Sequence, residues 1–332
     1  MANLSTTYLG IELANPVIVS SSGITGSIDG VRKCADSGAG AVVLKSLFEE
    51  IIIAQSEKLD REIIKTEHPE AFEYIEAGLG MQMGPKPYLK FIEEARRAVS
   101  IPVIASVNCV SARWWVSYAK DLESAGAQAI ELNISHFPGR REGDAAGIEK
   151  RYADIVGEVA DRVSIPVAVK VGFHFTALGE VLAAIANAGA RGIVLFNRTY
   201  AVDVNLKKKK FVPAMSFSGP EELSLPLRWV GLAAGTLPCD ISASTGIHRA
   251  DGALKMIMAG ASTVQVCSVL YRKGVGYLAE LIGDIDSWLD QNNYGAIDDI
   301  RGAALRDDGS RDILLHRLQY LRALNDAAEY EF

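Results

Sequence analysis

The chain reads as an α/β protein, a (β/α)8 TIM barrel with active-site loops at the C-terminal face of the strands and a C-terminal helical extension. Three observations predict this. A glycine–alanine turn that closes a helical stretch just before a β-branched run occurs four times. A Ser-Ile-Pro-Val strand entrance occurs twice between those turns. Connections from helix to strand are short, whereas several from strand to helix are long, as on the active face of a barrel. Eight alternations of strand and helix indicate a closed barrel rather than an open doubly wound sheet. Of 332 residues, 49% are hydrophobic and 23% charged, which is ample for a large core and excludes a mainly disordered chain. One domain over residues 1–332 is expected, since barrels run to this length.

The elements follow in order. The first strand spans residues 16–21. The turn Ser37-Gly38-Ala39-Gly40 precedes the second, 41–46. Ser100-Ile101-Pro102-Val103 opens the third, 103–108, where proline is tolerated because its missing N–H lies outside the ladder. Ala125-Gly126-Ala127 precedes the fourth, 129–134, and Ser164-Ile165-Pro166-Val167 opens the fifth, 167–171. Ala188-Gly189-Ala190 leads to the sixth, 192–197. The seventh is 239–244, and Ala259-Gly260-Ala261 leads to the eighth, 263–268. Glycine ends each helix because it enters the left-handed region without a Cβ clash. Amphipathic helical stretches fill the seven intervals, and another follows the eighth strand. Residues 47–84, 135–147 and 198–224 are the active-face loops, Lys207 to Lys210 form a solvated tip, and 292–332 is the helical extension.

The net charge of −7 argues against nucleic acid or an anionic membrane as partner. No apolar run approaches the roughly 20 residues of a spanning helix. The start, residues 1–8, lacks the layout of a signal peptide. Cys34, Cys109, Cys239 and Cys267 are far apart, with no Cys-x-x-Cys pair for zinc or an iron–sulfur cluster, so no metal is expected and the thiols suit a reducing cytoplasm. No Gly-x-Gly-x-x-Gly fingerprint for a nicotinamide cofactor occurs.

Branched apolar side chains fill barrel interiors, so polar strand exits mark function. Nearly every strand here exits into one: Ser20, Ser21 and Ser22; Lys45 and Ser46; Asn108; Asn133 and Ser135; Lys170; Asn197; Ser242, Ser244 and Thr245; Gln265 and Ser268. Together they make a mouth for something polar and electron-rich. Lys170 stands in the apolar run Val167-Ala168-Val169-Lys170-Val171 and needs an anion or a carbonyl beside it. Two chemistries compete: a Schiff-base lyase using Lys170, or a charged lysine that stabilises a developing anion such as a reduced flavin. The stretch Ser244-Thr245-Gly246-Ile247-His248-Arg249 after the seventh strand, with Cys267 and Ser268 after the eighth, lies where barrels hold a phosphate. A phosphate anchored there puts a cofactor ring near Lys170 and Lys45.

These residues carry a pattern. The chain resembles the dihydroorotate dehydrogenase family, in its soluble class 1 branch, over nearly its whole length. The resemblance runs through Leu9-Gly10-Ile11-Glu12-Leu13-Ala14-Asn15-Pro16, Ser21-Ser22-Gly23, Lys45-Ser46, Glu131-Leu132-Asn133-Ile134-Ser135, Val169-Lys170, Ser244-Thr245-Gly246-Ile247, Val264-Gln265-Val266-Cys267-Ser268 and Tyr294-Gly295-Ala296-Ile297. It implies an opening hairpin within residues 1–15 and a non-covalent FMN held by Ser22, Lys45, Ser46, Asn108, Asn133, Lys170, Gly219, Thr245, Gly246, Cys267 and Ser268. It implies a substrate of the pyrimidine type contacted by Lys45, Met83, Gly84, Asn133, Asn197 and Arg198. The implied reaction converts dihydroorotate to orotate, with a proton going to a base and hydride to flavin N5. It also implies a homodimer.

The substrate side departs from the family. The class 1 base is a cysteine directly after Asn-x-Ser, whereas here Asn133-Ile134-Ser135 is followed by His136. An imidazole titrates near working pH, so His136 is the candidate base, with contact to substrate alone as the other reading. In Gly80-Met81-Gln82-Met83-Gly84, Met81 or Gln82 replaces the family's asparagine, and Arg198 replaces a small hydroxyl residue. Arg198 suits a carboxylate clamp or a pocket reshaped for another substrate. The expectation is therefore an FMN oxidoreductase acting on CH–CH bonds, of dihydroorotate or another small cyclic or carboxylate substrate. A small soluble acceptor or a partner subunit would reoxidise it. A non-catalytic flavin-binding barrel is the non-enzyme alternative.

Overall fold

A computed structural model describes residues 2–49, 84–109, 115–135, 144–198, 201–214 and 217–306. Eight parallel ladder positions close into a barrel. In chain order the strands are β3 (Val17–Val19), β4 (Ala41–Val43) with its continuation β5 (Leu47–Phe48), β6 (Val103–Cys109), β7 (Ala129–Ile134), β8 (Val167–Val171), β9 (Gly192–Leu195), β12 (Asp240–Ser244) and β13 (Thr263–Val266). Each pairs in parallel with the next, β13 pairs with β3, and β4 pairs with β6. Short parallel strands need a covering helix between them, and each interval supplies one. These are α1 (Ile28–Asp36), α2 (Pro85–Ala98), α3 (Trp115–Ser124), α4 (Ala145–Ala160), α5 (Leu178–Asn187), α6 (Ser224–Ala233) and α7 (Ala250–Met258). After β13 come α8 (Ser268–Lys273) and α9 (Tyr277–Gln291), then α10 (Ile297–Ile300).

Local chemistry sets the helix ends. The Ser27 hydroxyl accepts from the Gly30 N–H at 3.1 Å and starts α1, and Asp144 does the same for α4 through the Gly147 N–H at 2.6 Å. Gly38, Gly126, Gly189 and Gly260, the glycines of the four repeated turns, all have φ between 90° and 111°. An L side chain rarely adopts that conformation, so glycine alone stops the helix there without strain.

Strand alternation divides the apolar residues into two shells. Val17, Val19, Val42, Leu132, Val169 and Val264 face the helices and join the large outer core. Ile18, Ala41, Val43, Ile104, Ala129 and Ala168 point inward and form a second, smaller cluster. The hairpin β1 (Thr6–Tyr8) and β2 (Ile11–Leu13) plugs that interior from the N-terminal side with Tyr8, Leu9 and Leu13. A Cβ at Gly192 would lie 2.5 Å from the Leu9 side chain, so the plug requires glycine at the start of β9. The segment beyond α9 is tied back to the start of the chain: Asn3 N–H donates to the Gly295 carbonyl at 2.8 Å and Ile297 N–H to the Asn3 carbonyl at 2.9 Å.

Three details differ from the sequence expectation. The second strand breaks at residues 44–46, because the Lys45 N–H turns to the Thr25 carbonyl (3.3 Å) and the Ser46 N–H to the Ser21 hydroxyl (2.9 Å). Ladder pairing of the sixth and eighth strands stops at Leu195 and Val266, and Ser268 already begins α8. The 198–224 loop contains an antiparallel hairpin, β10 (Ala201–Asn205) with β11 (Lys210–Ala214), whose turn carries Lys207 to Lys209. Residues 307–332 of the expected extension lie outside the described residues.

Candidate active site

The polar mouth forms because inward positions change character along each strand. On β7 the inward series is Ala129, Glu131, Asn133; on β8 it is Ala168, Lys170; on β6 it is Ile104, Ser106, Asn108. Register then aligns them. Asn108 pairs with Asn133, and Asn133 with Lys170, so these three side chains share one level on adjacent strands.

Lys170 is 7% exposed. Its Nζ donates to the Ser20 hydroxyl at 3.0 Å and to Gln265 Oε1 at 3.2 Å. Ser20 in turn donates to Gln265 Oε1 at 3.1 Å. The Gln265 amide donates to Glu131 Oε2 at 2.6 Å. An ammonium has three donors, and two are committed to these partners. Beside it, Asn133 Oδ1 is buried with no hydrogen-bond partner. A buried acceptor left alone costs about 1–3 kcal/mol, which a ligand with a matching donor would recover.

A second polar group lies across β3 and the second strand. The Ser46 hydroxyl is 3.0 Å from that of Ser21 and 2.8 Å from that of Ser106. The Lys45 chain passes over the β3–α1 loop, where a Cβ at Gly26 would lie 3.1 Å from its Cδ. Ser22 accepts from the Ile24 N–H at 3.3 Å and also bonds the Cys267 thiol. Burial pushes the Cys267 thiol up, while Ser22 and the charge of Lys170 oppose the shift.

The exits of β12 and β13 face the segment that follows the hairpin. Thr245 and Gly246 are consecutive left-handed residues, φ 78° and 79°. A Cβ on Gly246 would meet the Leu223 backbone nitrogen at 2.5 Å. Glycine is therefore required there by close backbone approach. The Ser218 hydroxyl donates to the Ser268 hydroxyl at 2.9 Å, and the Ser218 N–H donates to it at 3.1 Å. His248 is buried beneath this segment. Burial and the nearby Arg272 charge hold its pKa below the ordinary value.

The expected substrate clamp, Arg198, already holds a carboxylate of its own chain. Its Nε donates to Glu222 Oε2 at 3.0 Å and its Nη2 to Oε1 at 3.1 Å. The N–H of Gly219, one of the expected FMN-holding residues, also donates to Glu222 Oε1, at 3.0 Å. Burial pulls the Glu222 pKa upward, but the Arg198 guanidinium and the Gly219 N–H outweigh it and hold the carboxyl below its usual range. Asn197 donates its N–H to the Val171 carbonyl at 2.7 Å, and its side-chain oxygen accepts from the Arg198 N–H at 3.0 Å. Gly84 sits at the start of α2. Met83 and His136 lie outside the described residues. Glu131 and Glu222 join the site without having been among its expected members. A lone carboxylate inside the apolar strand 129–134 was the available signal for the first; the second carried none.

The closed barrel and its polar mouth define a class: a (β/α)8-barrel protein with a polar site at the carboxyl ends of its strands. A family model for dihydroorotate dehydrogenase matches residues 3–289. The chain belongs to that family of flavoprotein enzymes, and it is a dihydroorotate dehydrogenase-like oxidoreductase. Among similar proteins, the catalytic subunit of dihydroorotate dehydrogenase B (NAD(+)) from Thermoplasma acidophilum is 28% identical, over 92% of this chain and all of its own length. The same subunit from Methanocaldococcus jannaschii is 28% identical over 91% of this chain and 98% of its own length. An Aeropyrum pernix protein provisionally named dihydroorotate dehydrogenase A (fumarate) is 31% identical over 69% of this chain and 75% of its own length. Among the described residues no helix is long and apolar enough to cross a membrane.

The mouth fits a flavin. The pyrimidine edge of an isoalloxazine offers an N–H donor beside carbonyl and ring-nitrogen acceptors. The unpartnered Asn133 Oδ1 and the remaining donor of Lys170 are complementary to such an edge, at one level of the barrel.

Proposed function

We propose that the protein binds FMN non-covalently across the barrel mouth and oxidises dihydroorotate to orotate. The observation that carries this reading is the uncommitted donor of Lys170 beside the orphaned Asn133 Oδ1. Ser22, Lys45, Ser46, Asn108, Asn133 and Lys170 would hold the ring end. Thr245, Gly246, Cys267 and Ser268 would take the phosphate end, whereas the Gly219 N–H is already engaged by Glu222. Bound FMN supplies the hydride acceptor. Lys170 places a fixed positive charge where the reduced ring gathers negative charge, and it is desolvated, which strengthens its effect.

The substrate side would rest on Lys45, Met83, Gly84, Asn133 and Asn197, with Arg198 engaged by Glu222. Amides such as Asn133 and Asn197 match the alternating donors and acceptors of a dihydropyrimidine. His136 takes the proton from the carbon next to the one that loses hydride, and its imidazole is suited to do so near neutral pH. With Arg198 paired to Glu222, Lys45 is the cation available to the substrate carboxylate. The relatives named as catalytic subunits support electron exit through a partner subunit. Cys34, Cys239 and Cys267 are unpaired thiols, which supports a cytoplasmic protein, and the family pattern supports a homodimer.

The test is anaerobic. FMN-loaded protein mixed with dihydroorotate should lose its yellow band, with one orotate formed per flavin. A band that persists with dihydroorotate but bleaches with another dihydropyrimidine would retain the flavin and replace the substrate.

A further inference from the structure

We propose that Glu131 is a positioning residue for Lys170, acting through the side-chain amide of Gln265. The proposal rests on the flavin reading for its consequence and on the barrel interior for its geometry. Glu131 is 1% exposed and lies on β7, inside the barrel. Its Oε2 accepts from Gln265 Nε2 at 2.6 Å. An amide has one donor end and one acceptor end. With Nε2 held by Glu131, Oε1 faces the other way, where Lys170 Nζ (3.2 Å) and the Ser20 hydroxyl (3.1 Å) donate to it. Ser20 also accepts from Lys170 at 3.0 Å, which closes a triangle around the ammonium. Two of the three lysine donors are thereby fixed, which leaves the third for a ligand.

Turning the Gln265 amide over would set its Nε2 donors against the ammonium and its oxygen against the Glu131 carboxylate. Both contacts would become repulsive. Glu131 therefore selects the amide orientation that Lys170 needs. Packing does not account for a carboxylate here. The layer below it is filled by Ala129, Ala168 and Ile104, and an apolar side chain at 131 would fill the interior without desolvating a charge. Glu131 Oε1 itself has no hydrogen-bond partner, so the carboxylate acts through its short bond to Gln265.

The relay gives a sign that a simple field effect would not. Deleting a buried negative charge near the ring would, by its field alone, raise the flavin reduction potential. Releasing Lys170 from its aim removes stabilisation of the reduced ring and lowers it. The experiment measures the potential of the FMN-loaded protein by equilibration with a reference dye. Glu131→Leu should lower the potential toward that of Lys170→Met, and should not lower it further when Lys170 is already Met. Glu131→Gln keeps an acceptor for the Gln265 amide and should not lower it. Gln265→Leu, which cuts the relay at its centre, should reproduce the drop and serves if Glu131→Leu folds poorly. An unchanged or raised potential in Glu131→Leu, or an equal drop in the Lys170→Met background, overturns the proposal. Crystal structures of the flavin-free wild type and Glu131→Leu provide an independent reading. Lys170 should leave Ser20 in the variant, and a retained contact overturns the relay. A chain that takes up no FMN defeats the flavin reading alone, since the crystal comparison still decides the relay.

Discussion

The lower and upper halves of the barrel interior are made by the same strands, two residues apart, yet they do opposite work. Below, Ile18, Ala41, Val43, Ile104, Ala129 and Ala168 close against the hairpin residues Tyr8, Leu9 and Leu13. Above, Ser20, Ser106, Glu131, Lys170 and Gln265 replace them with hydrogen-bonding groups that are just as buried. The lower layer gains by excluding water, at roughly 25 cal/mol per Å² of apolar surface. The upper layer forgoes that gain to place donors and acceptors at a mouth. The contrast teaches that stability and chemistry are separated by one step of strand alternation, not by domain or by element.

Mutations that respect the division should break one half and spare the other. The largest effect is expected at His136. His136→Ala should slow flavin reduction by dihydroorotate by about 10²–10⁴-fold, the usual contribution of a positioned base, with FMN affinity unchanged. Rapid-mixing absorbance reads the rate, and an unaltered rate moves the base elsewhere. Lys170→Met should cost about 10²–10³-fold in the same step and also weaken FMN binding, as removal of a fixed charge beside a developing anion does.

In the lower layer, Ile104→Ala should lower unfolding stability by about 2–5 kcal/mol in a urea titration, while the folded fraction still takes up FMN. A loss of FMN binding without loss of stability would erase the distinction between the layers. The smallest effect belongs to the rim. Glu222→Gln removes the partner of Arg198 and should cost about 1 kcal/mol or less at neutral pH, since the pair is partly exposed. The folded-state pKa of Glu222 is depressed, so its contribution is complete above the ordinary carboxylate value and disappears as pH falls through the depressed one. The gap between wild type and variant should therefore close in acid, as urea titrations across pH would show.

Most of the fold was legible because its signals are local. Each repeated Gly-Ala turn ended a helix with a left-handed glycine, and each β-branched run after it joined the ladder. What was not legible depends on partners far along the chain. The break after Val43 arises because the Ser46 N–H finds the hydroxyl of Ser21. The hairpin of β10 and β11 hides in a stretch whose lysine run marks a loop, although Val202, Val204 and Phe211 carry a strand alternation around that tip. In the mouth, Lys170, Asn133 and Asn108 were legible as polar residues at apolar strand exits, and register brought them together. Arg198 was legible as a cation but not as one already paired, because Glu222 lies 24 residues away in a different segment. Glu131 stood out within its strand, but its partner Gln265 is 134 positions distant and no spacing rule joins them.

On the proposed reading, Lys170 seats a flavin ring at the barrel mouth. Titration of the flavin-free wild type and Lys170→Met with FMN, followed by quenching of flavin fluorescence, tests it most directly. Saturable binding of one FMN per chain, weakened by at least about tenfold in Lys170→Met, is the predicted result, equivalent to the loss of one charge-assisted hydrogen bond. Equal binding by both proteins, or binding by neither, would contradict it.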